Sequence, residues 1–333
     1  MATSVSGLSQ RLASALEPVF GRSPTLISDS PELVEWLADQ GCESVLLEVG
    51  AVERLSKRHR QNVLMIPATD QAFSFHVLDR AFRGSRVLIV PVIAFDPALE
   101  AAQYTVEMVS RSDFAAAVAQ NRAWLDLVQY AAEPLVFEGP AGRLECGIKE
   151  RVQLMKPRTQ TMLLPGEWEA IGMYFEVPMI PDNEDFFHPG YIVNGQLEVC
   201  GAAVARHRQM PAPLVPLHAE AWELMSGLLA EGRFPLKVEV KDSRLVGATA
   251  GGRDITPELL RLSNEKLELL LIEFAFSNNP SLKAGMLDWS VNSVMNEGIQ
   301  GLHIAVGDGL TGAHIDLICA DLELTSHDLG AAG

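Results

Sequence analysis

Asn62-Val63-Leu64-Met65-Ile66 and Arg86-Val87-Leu88-Ile89-Val90 are short, unbroken apolar runs, each stopped by a proline. Runs of this length without polar alternation read as strands buried on both faces, the pattern of a parallel sheet. Ser44-Val45-Leu46-Leu47-Glu48-Val49, ended by Gly50, reads the same way. Helical patterns lie around them. Pro31 to Gln40 is one. A longer one starts at Ser112 or Asp113, both good N-caps, and runs to about Ala132 with Phe114, Val118, Trp124, Leu127 and Val128 as its apolar stripe. Near the N-terminus, Leu8, Leu12, Leu16 and Val19 share one helical face. This alternation up to about residue 140 predicts an α/β layer domain with parallel-type strands, assigned to residues 1–150. No phosphate-binding glycine fingerprint occupies its strand-to-helix turns.

Glu138-Gly139-Pro140-Ala141-Gly142-Arg143 is a turn-rich break, and the texture changes beyond it. Leu236-Lys237-Val238-Glu239-Val240 alternates like an antiparallel strand, and Leu245-Val246 clusters like another. Thr256 to Leu271 reads as a helix, with Thr256 as N-cap, Pro257 in the first turn, and Leu259, Leu262, Leu267, Leu270 and Leu271 on its buried side. The fold class is therefore α/β, with a second, mixed α+β domain over residues 151–328 and a frayed tail from Leu329 to Gly333.

The chain has 333 residues, of which 48% are hydrophobic and 21% charged, enough apolar material for a real core. Asp and Glu total 43 against 26 Lys and Arg, a formal charge of -17. Such a surface repels phosphate backbones, so nucleic acid and anionic membranes are excluded as non-specific partners. Cys42, Cys146, Cys200 and Cys319 are scattered, with no C-x-x-C pair, and read as small hydrophobes in a reducing compartment. No apolar run approaches the ~20 residues of a membrane helix. The N-terminal segment lacks the continuous apolar core of a signal peptide. The expected location is cytoplasmic.

Ionisable residues inside strand-like text carry the chemical signal. Leu302-His303-Ile304-Ala305-Val306 is one such run, and Ala313-His314-Ile315-Asp316-Leu317-Ile318 is another. A two-residue period puts His314 and Asp316 on one face and turns Ile315 and Leu317 away. Gly307-Asp308-Gly309-Leu310-Thr311-Gly312 can turn tightly between the two strands. Neighbouring strands would then present two imidazoles and a carboxylate together, a usual ligand set for zinc and related divalent ions. Each residue alone also reads as a satisfied core group. Two carboxylates join them: Glu297, shortly before His303, and Glu273, a lone charge in Leu271-Ile272-Glu273-Phe274-Ala275-Phe276. Glu167 follows the turn Leu164-Pro165-Gly166.

This ordered set resembles the M29 aminopeptidases, the aminopeptidase T or thermophilic aminopeptidase type. The shared features are Leu164-Pro165-Gly166-Glu167, Glu273 with Asn279-Pro280 downstream, Glu297, His303-Ile304-Ala305-Val306-Gly307, and His314-Ile315-Asp316. They span about residues 160 to 325, in family order and at family-like spacing. The resemblance implies Glu167, Glu273, Glu297, His303, His314 and Asp316 as metal ligands. It implies one or two divalent ions, zinc first, with cobalt or manganese as alternatives. Water activated on such a site hydrolyses an amide, and Glu167 or Glu273 is the implied catalytic proton shuttle. A peptide substrate and a homodimer are implied with it. The chain departs from the family in places. Leu310 and Thr311 stand where some members carry a tyrosine, Phe274, Ala275 and Phe276 replace glycines usual beside the middle Glu, and Asn296 stands where an Asp often precedes the Glu.

Other signals are weaker. Ser326-His327-Asp328 are consecutive and cannot form a triad, the glycine loop before His314 lacks a lysine for phosphate, and His188 reads as a loop residue. Trp168, Tyr174 and Trp289 read as core or pocket wall. The leading reading is a metal-dependent, peptide-acting hydrolase. One alternative is a tailoring enzyme that modifies or cyclises one ribosomally made peptide in natural-product maturation. The other is a non-catalytic peptide-binding protein on the same scaffold.

Overall fold

The computed structural model describes residues 7–48, 55, 58–69, 75–149, 152–182 and 187–326. The strands are, in chain order, β1 (Thr25–Ser28), β2 (Ser44–Leu46), β3 (Asn62–Ile66), β4 (Arg86–Ile89), β5 (Leu135–Gly139) and β6 (Gly142–Ile148). Then come β7 (Gln153–Leu154), β8 (Trp168–Ala170), β9 (Glu176–Ile180), β10 (Tyr191–Val199), β11 (Gly201–Ala205) and β12 (Leu236–Lys241). The last are β13 (Arg244–Ala250), β14 (Arg253–Asp254), β15 (Leu271–Ser277), β16 (Gly301–Val306), β17 (His314–Cys319) and β18 (Glu323–Ser326).

The apolar runs form a five-stranded parallel sheet in the order β2-β1-β3-β4-β8. β1 and β3 are buried along their whole length, as unbroken apolar strands between helical layers should be. β2 is shorter than its apolar run and half-buried, because it is the outermost strand of the sheet. The helix Leu8–Phe20 buries Leu8, Leu12, Leu16 and Val19 against this layer. In the helix Pro31–Asp39, Ser30 caps the first turn by accepting from the Leu33 N–H. Asp113 does the same for Phe114–Tyr130, accepting from the Ala116 N–H. Among the described residues, no helix is long and apolar enough to cross a membrane.

A seven-stranded sheet, β14-β13-β12-β10-β6-β5-β18, and a six-stranded sheet, β11-β17-β16-β15-β9-β7, complete the fold. The turn at residues 138–143 joins β5 and β6 inside the seven-stranded sheet. That sheet already begins at Leu135, before residue 150, and β8 later returns the chain to the parallel sheet. Thr256 to Leu271 is also not one helix. The helix ends at Ser263, Asn264 takes a positive φ of 98°, and Glu268 and Leu269 follow in left-handed conformations before β15 starts. Thr256 is not its cap. Its hydroxyl instead accepts from the Ala248 N–H and ties the helix to β13. The segment Leu329–Gly333 lies outside the described residues.

The six-stranded sheet is the middle layer. One face carries Phe274, Phe276, Leu302, Ile304, Ile315 and Leu317 into a core shared with the seven-stranded sheet. From the other side, Ala203, Ile318 and Phe175 join the core that includes Leu64 and Leu88 of the parallel sheet. Cys146 and Cys319 are buried, and burial pushes both thiols up to about 12, which suits small hydrophobes rather than nucleophiles.

Candidate metal centre

The sequence places charged residues at alternate positions of four neighbouring strands, and the register of those strands gathers them. Glu176 opens β9, Glu273 lies in β15, His303 in β16, and His314 and Asp316 in β17. Because Ile315 and Leu317 point into the core between the sheets, His314 and Asp316 face the opposite side, as their spacing predicts. Glu273 pairs with Ala305, which pairs in turn with Asp316, and Ala275 pairs with His303. These alanines fill the intervening positions with the smallest side chain available, leaving room for the charged groups. Glu297 ends the short helix Val294–Glu297. That helix is pinned from outside: Ser293 accepts from the Met295 N–H and contacts Thr105 at 2.8 Å, while Tyr104 donates to Asn296 Oδ1.

Glu273 reaches this face through an irregularity. The pairing of β15 with β16 slips between Leu271 and Glu273. Regular alternation would put these two residues on one face. The bulge lets Leu271 enter the core while Glu273 joins the charged side.

The cluster is tight. His303 Nε2 is 3.1 Å from Glu273 Oε1, 3.7 Å from Glu176 Oε2 and 3.9 Å from Asp316 Oδ1. His314 Nε2 is 3.0 Å from Asp316 Oδ1 and 3.7 Å from Glu273 Oε2. Behind the rings, His303 Nδ1 is 2.9 Å from Ser277 Oγ, and His314 Nδ1 donates to the Gly307 carbonyl at 2.9 Å.

Charge crowding in a dry site shifts these groups in a consistent way. Burial, then the Glu273 charge, pushes Glu176 up to about 7. Burial, with Asp316 and Glu176 behind it, raises Glu297 well above the carboxylate range. Burial opposes protonation of His303, but the hydrogen bond and charge of Glu273 outweigh it and raise the ring to about 9. His314 rises to about 10 because Asp316 likewise overcomes burial. For Asp316, burial opposes the charge, and the imidazoles win, holding it below its usual range. The carboxylates thus collect positive charge wherever they can.

The residues fit a divalent ion. Glu176, Glu273 and His303 form one group, and Glu273, His314 and Asp316 form a second, each with ligand atoms within 4.8 Å of one another. Glu297 Oε1 and Asp316 Oδ2 are buried oxygens that accept from no N–H or hydroxyl of another residue, and only a proton kept on Glu297 links the two carboxyls. Leaving a buried carboxylate oxygen unpaired is costly, and a cation removes that cost. Four carboxylates balance two divalent ions. The mixed oxygen and imidazole set suits zinc and its neighbours.

A consequence for stability follows. Glu176, His303 and His314 have raised values in the folded chain, so each holds more protons folded than unfolded across its window. Their contribution is full below the unfolded values, about 4.3 for Glu and 6.5 for His, and is lost as pH rises through the folded ones. Chelated protein is therefore expected to melt at lower temperature as pH rises from 6 to 9. Saturating zinc is expected to flatten that decline, as thermal melts with and without zinc would show.

Of the sequence candidates, Glu273, Glu297, His303, His314 and Asp316 come together. Glu167 does not. Its carboxylate accepts from Arg158 Nη2 at 3.2 Å and from the Leu164 N–H at 2.8 Å, with 36% of its side chain exposed. The reason is topological: β8 is hydrogen-bonded to β4, so the turn before it is held at the parallel sheet. From β8 the chain passes back to the middle sheet through the short helix Gly172–Phe175, and the first residue beyond is Glu176. Glu176 was missed, although Tyr174-Phe175-Glu176-Val177 carries the same signal as Glu273, a lone carboxylate in an apolar run. His188 is an exposed loop residue. Trp168 packs edge-on against Phe82, and Tyr174 is buried with its hydroxyl donating to the Thr161 carbonyl. His327 and Asp328 lie outside the described residues.

Among solved structures, wild-type AmpT from Thermus thermophilus aligns at 15% identity with a TM-score of 0.47, covering 94% of this chain and 92% of that one. No curated protein matches significantly. The family model described as crocagin biosynthetic protein CgnE/B matches residues 21–327, nearly the whole chain. The chain with this charged middle sheet belongs to the crocagin biosynthetic protein CgnE/B family.

Proposed function

We propose that this chain is a metal-dependent, peptide-acting protein of natural-product maturation, with a two-ion site centred on Glu273. The observation that carries the reading is the pair of donor groups sharing Glu273, set in a buried crowd of carboxylates. The motif order shared with M29 aminopeptidases supports amide chemistry, and the family supports a biosynthetic setting.

Divalent ions held there supply a Lewis acid and an acidified water. The chain's own groups do the rest. Glu273 belongs to both donor groups and would contribute to holding an ion in either. Glu176, at the more open edge of the cluster, would take up a proton and return it to the leaving group when its carboxylate is not committed to an ion. His303 and Asp316 are 1% exposed, while the side chains of His314, Glu273 and Glu176 are 18%, 12% and 10% exposed. A substrate carbonyl therefore approaches over His314 and Glu273, with the deeper ligands shielded from water. The Gly307–Gly312 loop runs beside this opening. Leu310 and Thr311 are exposed on it, and Asp308 braces it by accepting from the Leu310 and Thr311 N–H groups.

Within this reading we favour action on one specific peptide over general removal of N-terminal residues. The family is biosynthetic, and the loop beside His314 offers no phenol to a tetrahedral intermediate. The test has two arms. Elemental analysis before and after chelation is expected to find one to two divalent ions per chain, and failure to take up zinc or cobalt would leave the peptide-binding alternative. Amino-acid amides are expected to turn over poorly, whereas a long precursor peptide is modified and chelation abolishes the effect. Broad turnover of amides would instead make the protein a general aminopeptidase.

A further inference from the structure

The two imidazoles of the metal centre are held from behind by groups of different chemistry. A carbonyl only accepts, so the Gly307 oxygen keeps the hydrogen of His314 on Nδ1 and leaves the Nε2 lone pair toward Asp316 and Glu273 whenever the ring is neutral. That carbonyl is itself fixed. Gly307 sits at φ +80°, and a Cβ there would lie 1.9 Å from the Ala313 carbonyl oxygen. His303 has no such restriction. Its Nδ1 faces the Ser277 hydroxyl at 2.9 Å, and a hydroxyl donates as readily as it accepts. The neutral ring can therefore place its hydrogen on Nε2 and donate to Glu273, 3.1 Å away, a form that offers no lone pair to an ion.

Ser277 is 2% exposed, and it pairs with Glu176 in the strand register. It thus backs the end of the site built from Glu176, Glu273 and His303.

Resting on the two-ion reading above, we infer that Ser277 is a positioning residue for His303, and that the two backings rank the subsites. The Glu273–His314–Asp316 subsite fills first. The Glu176–Glu273–His303 subsite takes the second ion more weakly, because its imidazole has to be held in the ligating tautomer.

The test is a zinc titration of chelated full-length protein against a chromophoric competitor, which reads ion affinity without any assay of turnover. Two affinity classes are expected. Ser277→Ala is expected to weaken the looser class by about 10- to 100-fold, the usual range for a ligand's hydrogen-bond partner, and to leave the tighter class unmoved. Ser277→Thr, which keeps the hydroxyl, is expected to restore it. The ranking is tested independently of Ser277 by His314→Ala, expected to remove the tighter class, and His303→Ala, expected to remove the looser one. Loss of the tighter class in His303→Ala, or equal affinities in the unaltered protein, overturns the ranking while the two-ion reading stands. An unchanged looser class in Ser277→Ala overturns the positioning role. No zinc uptake by the unaltered protein overturns both the inference and the reading beneath it.

Discussion

Asp316→Asn is expected to strip the tighter ion from the metal centre. The side chain is 1% exposed, and its Oδ1 lies 3.0 Å from His314 Nε2 and 3.9 Å from His303 Nε2. Oδ2 accepts from no N–H or hydroxyl of another residue, only from the proton that Glu297 keeps. The substitution keeps the shape and removes the charge, and it puts an amide donor where the site needs an acceptor. Losing a hydrogen-bond partner behind a metal ligand costs 10- to 100-fold, so losing the ligand itself should cost at least about 100-fold in zinc affinity. Elemental analysis after dialysis would report the loss. The variant should still fold, because the cores on both sides of the sheet are untouched. Zinc retained at the level of the unaltered protein would remove Asp316 from the ligand set.

Phe276→Ala should act in the opposite way, on stability first. Phe276 lies on the same strand as Glu273 but faces the core between the sheets, where it is fully buried. Its ring stacks on Trp124 with centroids 4.2 Å apart and planes 3° from parallel, and Phe274 and Phe137 lie at 5.5 and 5.8 Å. Truncating a buried phenylalanine costs about 3–5 kcal/mol, and the lost stacking adds about 1 kcal/mol. In a chain this long that corresponds to a fall in Tm on the order of 10 °C. Chelated and zinc-loaded protein should lose similar amounts, since the ring touches no ligand. Thermal and urea denaturation would check both points. A loss below about 1 kcal/mol would show that the aromatic cluster does not pack as one unit.

These variants lie on opposite faces of one sheet, Asp316 on β17 and Phe276 on β15, and the division shows what could be read from residues alone. The spacing of His314 and Asp316 placed both on one face without reference to any other strand, because alternation is a property of a single extended chain. The buried runs at residues 62–66 and 86–90 announced a parallel sheet for an equally local reason. Glu273 was harder. Its apolar context marked it, but the bulge that turns it away from Leu271 exists only in the pairing with β16. The helix expected to reach Leu271 failed because apolar spacing does not reveal a left-handed stop at Asn264.

Glu167 and Glu176 mark the boundary most clearly. Both follow features that a sequence can carry, a proline-glycine turn for one and an apolar run for the other. Which of them reaches the charged face depends on β8 pairing with β4 and β9 pairing with β15. By itself the sequence determined the strand periods and the acidic surface, which follow from side-chain chemistry and local geometry, and it marked five of the gathered residues, whose role as ligands only the M29 resemblance implied. The tertiary structure decided the sixth, the burial that drives the carboxylates to seek cations, and the backing atoms behind each imidazole. Those depend on hydrogen bonds between strands far apart along the chain, whose partners no local pattern specifies.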